Sequence, residues 1–136
     1  MKRQQLVLTK EDFSFLMECY FSDHLSKRNK EKLSDELRSA KIVQKEWLPS
    51  NVVCTNSKVL VCNIDKLQTF NVHIISPESK AVNTNDLLIT DPLAIALLGY
   101  PQGHIVEWEM RDGMNRFQIV SVYHEDNDAS QKLFTA

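Results

Sequence analysis

The run EWLPSN, residues 46–51, separates two hydrophobic rhythms in this chain. Before it, Phe13, Leu16, Met17 and Tyr20 recur at i, i+3, i+4 and i+7, the spacing of one helix face. Leu33, Leu37 and Ala40 then form the only apolar stripe in a charged stretch that starts at Lys27. After it, the period drops to 2 in runs rich in β-branched residues: 52–54, 58–64, 69–75, 87–90, 104–110 and 116–124. A pattern of period 3.6 cannot bury one face of a strand, nor a period of 2 one face of a helix. Helices segregated from strands in this way predict an α+β fold with a mostly antiparallel sheet. Pro49 marks the change, because the residue before a proline resists helix.

Local signals refine this outline. Thr9, with Asp12 three residues on, is an approximate capping box for the first helix. SDHLS (22–26) interrupts the helical pattern, which predicts two short antiparallel helices in residues 1–48, with Asp23, His24 and Leu25 at the tip. Helices this short are marginal alone in water and depend on mutual packing. Residues 49–124 form the sheet portion, with turns at IDKLQ (64–68) and around Gly113. One short helix is inserted before the last two strands by DPLAIALLGYPQG (91–103). Asp91 suits its cap and Pro92 its first turn, while Gly99 suits the left-handed position after its end. Leu93, Ala94, Leu97 and Leu98 give it an apolar face against the sheet. The acidic and polar residues that open 125–136 predict a frayed tail.

Composition excludes several classes of function. Apolar residues at 43% and charged residues at 25% are those of a globular protein. No apolar run approaches the roughly 18 residues of a membrane span, and the start MKRQQLVLTKED is not read as a secretory leader. Three cysteines, an odd number without a CxxC pair, suit a reducing compartment, so a cytoplasmic location is expected. Residues 1–50 carry ten Lys/Arg against eight Asp/Glu, and residues 51–136 carry six against ten. Neither part is basic enough to bind nucleic acid through its phosphates, so a protein surface is the expected partner. Phosphate-loop, dinucleotide, nucleophile-elbow and zinc-helix motifs are absent. His24, His73, His104 and His124 stand singly, and Glu107 and Glu109 line the wet side of a strand. No catalytic residue, cofactor or metal is expected, and the chain is read as a non-enzyme.

The stretch LLITDPLAIALLGYPQGHIVEWEM resembles the C-terminal domain of the bacterial transcript-cleavage factors of the Gre family. That pattern runs strand, Ser-Pro, short helix, Ala-Leu-Leu-Gly, Gly, strand; here it is carried by Asp91-Pro92, Ala96-Leu97-Leu98-Gly99, Gly103 and Val106-Glu107-Trp108. WLPSNVVCTNSKVLV (47–61) is similar to the strand entry of short Gre relatives called regulator of nucleoside diphosphate kinase, or Rnk. The resemblance covers roughly residues 42–124 and the helical part in layout only. It implies an FKBP-like sheet that docks on the rim of the secondary channel of RNA polymerase, with Thr90, Asp91 and Pro92 at the contact. In the family a long coiled coil carries two acidic residues that help hold a magnesium ion for RNA cleavage. Here a helix of about 14 residues spans only about 21 Å, and the tip offers Asp23 alone. An elongation regulator without cleavage stimulation is therefore expected, a monomer or weakly self-associating. Ile95 stands where relatives often carry a basic residue, so it is expected to make an exposed apolar contact. The alternatives are a Gre-like module that uses its helices for another partner or for self-association, a peptidyl-prolyl isomerase-like enzyme, and transcript cleavage itself.

Overall fold

The computed structural model describes residues 5–22, 25–76, 86–89 and 91–124, so Asp23, His24, Thr90 and the 125–136 tail lie outside the described residues. Strand β1 (Val7–Thr9) leads into helix α1 (Lys10–Phe21). Thr9 Oγ1 accepts from the Asp12 N–H at 3.1 Å, as the capping signal predicts. Helix α2 (Lys27–Arg38) starts at Ser26, whose Oγ accepts from the Asn29 N–H at 3.2 Å. Strand β2 (Lys41–Val43) then pairs in parallel with β1, Val7 opposite Lys41.

Past a 3₁₀ turn at Lys45–Trp47 come β3 (Ser57–Asn63), β4 (Gln68–Ile75), β5 (Asp86–Leu88), helix α3 (Pro92–Leu97), β6 (Ile105–Met110) and β7 (Gly113–His124). Their sheet has the order β5-β4-β3-β7-β6. All neighbours are antiparallel except β4 and β5, which pair in parallel. The α+β class holds, but the expected strand at 52–54 does not form. Val52 makes an isolated bridge with Pro101, and Val53 bonds instead to Gly99 and Tyr100. Strands β1 and β2, three residues each, are too short for their alternation to be legible in sequence.

One hydrophobic cluster joins helices and sheet. Leu6 and Leu8 at β1, Leu16 of α1, and Leu33 and Leu37 of α2 are buried together with Val59, Val61, Ile74, Leu93, Leu97, Trp108 and Ile119. Three polar ties reinforce that packing. The Thr55 N–H and hydroxyl both donate to the buried Asp12 carboxylate, at 3.1 and 2.6 Å. Asn29 Nδ2 donates to the Glu109 carbonyl and the Glu109 N–H donates to Asn29 Oδ1, each at 2.8 Å. Lys32 Nζ donates to the Tyr100 hydroxyl at 3.3 Å, and the Tyr100 ring stacks on His104 with centroids 4.4 Å apart. Burial, with nearby Lys32 adding to it, holds the His104 pKa below its ordinary 6.5.

Gly99, at φ +87°, follows α3 and is crossed by β1. A Cβ there would lie 2.8 Å from Leu8 Cδ2 and 3.2 Å from Leu6 Cβ. Gly103 has a similar φ of +92° with nothing within 4 Å of a Cβ. Gly103→Ala is therefore expected to cost about 1–2 kcal/mol of backbone strain. Gly99→Ala adds about 1–3 kcal/mol of overpacking. Urea unfolding of the two variants checks this, and equal losses would contradict the close approach.

The lowered His104 pKa carries a second expectation. Between 6.5 and the lower folded value, the unfolded chain binds the proton more readily than the folded one. Wild-type stability relative to His104→Asn should thus fall as pH drops from about 7.5 to about 5.5. A pH-independent difference in urea midpoints would count against it.

Candidate docking site

Helix α3 is only six residues long and its start is fixed by one side chain. Asp91 Oδ1 accepts from the Leu93 N–H at 3.0 Å, and the Asp91 carbonyl accepts from the Ile95 N–H at 3.0 Å. The Asp91 N–H donates to the Leu88 carbonyl at 2.8 Å, which ties the helix start to the end of β5. Pro92 fills the first helical position and is exposed. Every residue from Leu93 to Tyr100 is buried. That corrects the expectation for Ile95, which is 4% exposed and sits in the core cluster. Helix α3 packs against β6, and past Pro92 it keeps no exposed residue.

Asp91 and Pro92 border an open cleft of about 860 Å³. Leu25, Ser26 and Asn29 of the helical pair form one wall, and Glu109–Asp112 at the β6–β7 turn form another. Phe70, Leu93, Met110 and Phe117 provide apolar floor. The structure thus brings Asp91, Pro92 and Leu25 to one place, although 66 positions separate Leu25 from Asp91 in the sequence.

At the sheet end of the cleft, polar groups satisfy one another. Asn63 Nδ2 donates to Asn115 Oδ1 at 3.1 Å, and Asn115 Nδ2 donates to Asp112 Oδ1 at 2.9 Å. The Lys66 N–H donates to Asn63 Oδ1 at 3.1 Å, while its ammonium pairs with Asp112. Hydrogen bonds from Lys66 and Asn115 hold the Asp112 carboxyl below the usual range. Arg116 does the same for Asp65, through its Nε, its Nη2 and its backbone N–H. Exposed pairs like these add little stability. Their effect is geometric: the β3–β4 and β6–β7 turns are fastened together and keep that end of the cleft in shape.

Asn29, Asn63 and Asn115 were not foreseen as site residues. Asn29 lies between Arg28 and Lys30 on a charged helix, and nothing in that pattern announces a cross-chain partner. Asn63 and Asn115 sit near strand ends, where the DGMN turn signal hinted at geometry but not at their bond to each other. A second groove of about 900 Å³ includes Phe15, Ile42 and Asp12, but both Asp12 oxygens are taken by Thr55. Among the described residues no group of three or more His, Cys, Asp or Glu side chains could hold a metal, and no helix is long and apolar enough to cross a membrane.

The capping role of Asp91 is directly testable. Asp91→Ala should cost about 1 kcal/mol, whereas Asp91→Asn keeps a capping oxygen and should cost far less. Matching urea midpoints for the alanine variant and wild type would contradict the cap.

Comparison with known proteins follows the same span. Residues 48–124, more than half of the chain, match the family model described as transcription elongation factor, GreA/GreB, C-term. Transcription elongation factor GreA of Helicobacter hepaticus is 27% identical over 90 residues, 66% of this chain and 55% of its own length. GreA of Clostridium beijerinckii is 30% identical over 91 residues, 66% of this chain and 56% of its own. The chain thus spans little more than half the length of these curated relatives. A solved structure, the prokaryotic transcription elongation factor GreA/GreB from Nitrosomonas europaea, superposes with a TM-score of 0.63 at 27% identity, over 90% of this chain and 100% of that one.

Proposed function

The chain belongs to the family of GreA/GreB transcription elongation factors, and from that premise we propose that it regulates transcription elongation by binding RNA polymerase without stimulating RNA cleavage. In this reading it is a short, Rnk-like member with an FKBP-like sheet, acting in the cytoplasm. It docks at the rim of the secondary channel through Thr90, Asp91 and Pro92. The observation that carries the reading is the start of α3: within the matched span, the capping Asp91 and an exposed Pro92 stand at the edge of an open cleft.

Two features speak against cleavage stimulation. Helices α1 and α2 have 12 residues each, about 18 Å at 1.5 Å per residue. Both also contribute to the core shared with the sheet, so neither is a free arm. The tip segment 22–26 contains Asp23 as its single carboxylate, and one carboxylate is a poor substitute for the acidic pair that the Gre resemblance implies. A second reading, self-association, draws on Phe21 and Trp47, which are 72% and 74% exposed.

Core bacterial RNA polymerase immobilised on resin should retain the wild-type chain. Asp91→Arg should weaken retention at least about tenfold, or about 1.4 kcal/mol. No retention of wild type, or equal retention of the variant, would overturn the docking reading. Stalled elongation complexes given the chain should show no faster RNA cleavage.

A further inference from the structure

We infer that Leu25 and Ser26, just ahead of α2, are part of the polymerase-docking surface, and that the cleft they share with α3 takes an apolar side chain of the polymerase. The inference rests on the reading that this chain binds RNA polymerase through Asp91 and Pro92. Leu25 and Ser26 line the same cleft as those two residues. A partner seated on the start of α3 meets Leu25 and Ser26 as well.

The start of α2 is held where it is. Asn29, 3% exposed and one turn into α2, bonds both backbone groups of Glu109 on edge strand β6. Swinging the helices away would leave that N–H and carbonyl without partners, at a cost of about 1–3 kcal/mol for each group still shielded from water. Leu33 and Leu37, farther along α2, are buried in the common core and oppose the same motion. The wall of the cleft is a fixed one.

The chemistry of the occupant follows from what the cleft has left to offer. Its polar groups are largely engaged: Asn29 with Glu109, Asn63 with Asn115, Lys66 with Asp112, and Asp91 Oδ1 with the helix start. Gln68 and Arg111 also line the cleft and are exposed; a polar ligand seated deeper would have to break those bonds to gain its own. Between the engaged groups lies apolar surface from Leu25, Pro92, Phe70 and Met110, none of them fully buried. An open cleft whose apolar surface lies among satisfied polar groups favours one apolar anchor from a protein partner, which loses its water on binding.

Fluorescence anisotropy of the labelled full chain titrated with core bacterial RNA polymerase tests this. Leu25→Asp should raise Kd at least about tenfold, and Leu25→Met should stay within about twofold of wild type. Phe21→Asp serves as the control, because Phe21 is highly exposed near the tip but does not line the cleft; it too should stay within about twofold. Thermal unfolding accompanies each variant, and Leu25→Ala carries the test should the aspartate variant fail to fold. Wild-type affinity in Leu25→Asp, or an equal loss in Phe21→Asp, would overturn the inference. If Asp91→Arg weakens binding while Leu25→Asp does not, the inference alone fails. Absence of wild-type binding removes both it and the reading beneath it.

Discussion

At Gly99 three separate stretches of backbone come within hydrogen-bonding distance. Its N–H donates to the Val53 carbonyl at 2.9 Å, its carbonyl accepts from the Val7 N–H at 3.1 Å, and the Val53 N–H reaches Tyr100 O at 3.0 Å. The crossing is possible because no Cβ fills the space occupied by Leu6 and Leu8. The left-handed φ also turns the chain sharply out of α3, which an L side chain would resist. Through this junction the N-terminal strand is pinned over α3, and β2 in turn is pinned to it by the Lys41 N–H to Leu6 carbonyl bond of 2.8 Å. The helical pair between β1 and β2 is therefore anchored at both of its ends.

That anchoring has a consequence for function. A helical pair tethered only by a linker could sweep through space, whereas this one is fixed at its roots by β1 and β2 and along its length by Asp12, Asn29 and Lys32. Leu25 and Ser26 are thereby held beside the start of α3, and the cleft between them has a defined shape. In the proposed docking role, such rigidity suits a surface that a partner recognises. It suits poorly an arm that has to extend. The polar ties are short-range and mutually satisfied, so they specify orientation at little net gain in stability.

Much of the fold was legible because periodicity reports burial directly. Strands β3, β4, β6 and β7 fall within a few residues of their predicted bounds, and Thr9, Asp91, Pro92 and Gly99 play the local roles their chemistry indicated. Where the reading failed, the deciding partner was distant. Residues 52–54 look like a strand, but Val53 finds its backbone partners at Gly99 and Tyr100, outside any ladder. Ile95 reads as an exposed contact because relatives often carry a basic residue at that position, yet it lies in the common core. Asp12 fits a capping box locally, yet its carboxylate turns to Thr55, 43 positions on.

The sequence by itself determined the class of fold, the caps of α1 and α3, the turn positions and the family. These depend on residues a few positions apart, whose steric and hydrogen-bonding preferences act before the chain closes. The tertiary structure alone decided that Leu25, Asp91 and Pro92 share one cleft, that Asn29 would fasten α2 to the edge of β6, and that Ile95 would be buried. Those outcomes bring together residues as far apart as Leu25 and Asp91, 66 positions, and Asn29 and Glu109, 80 positions, and they follow from which surfaces meet when the core forms. A pattern read along one chain carries no record of that meeting.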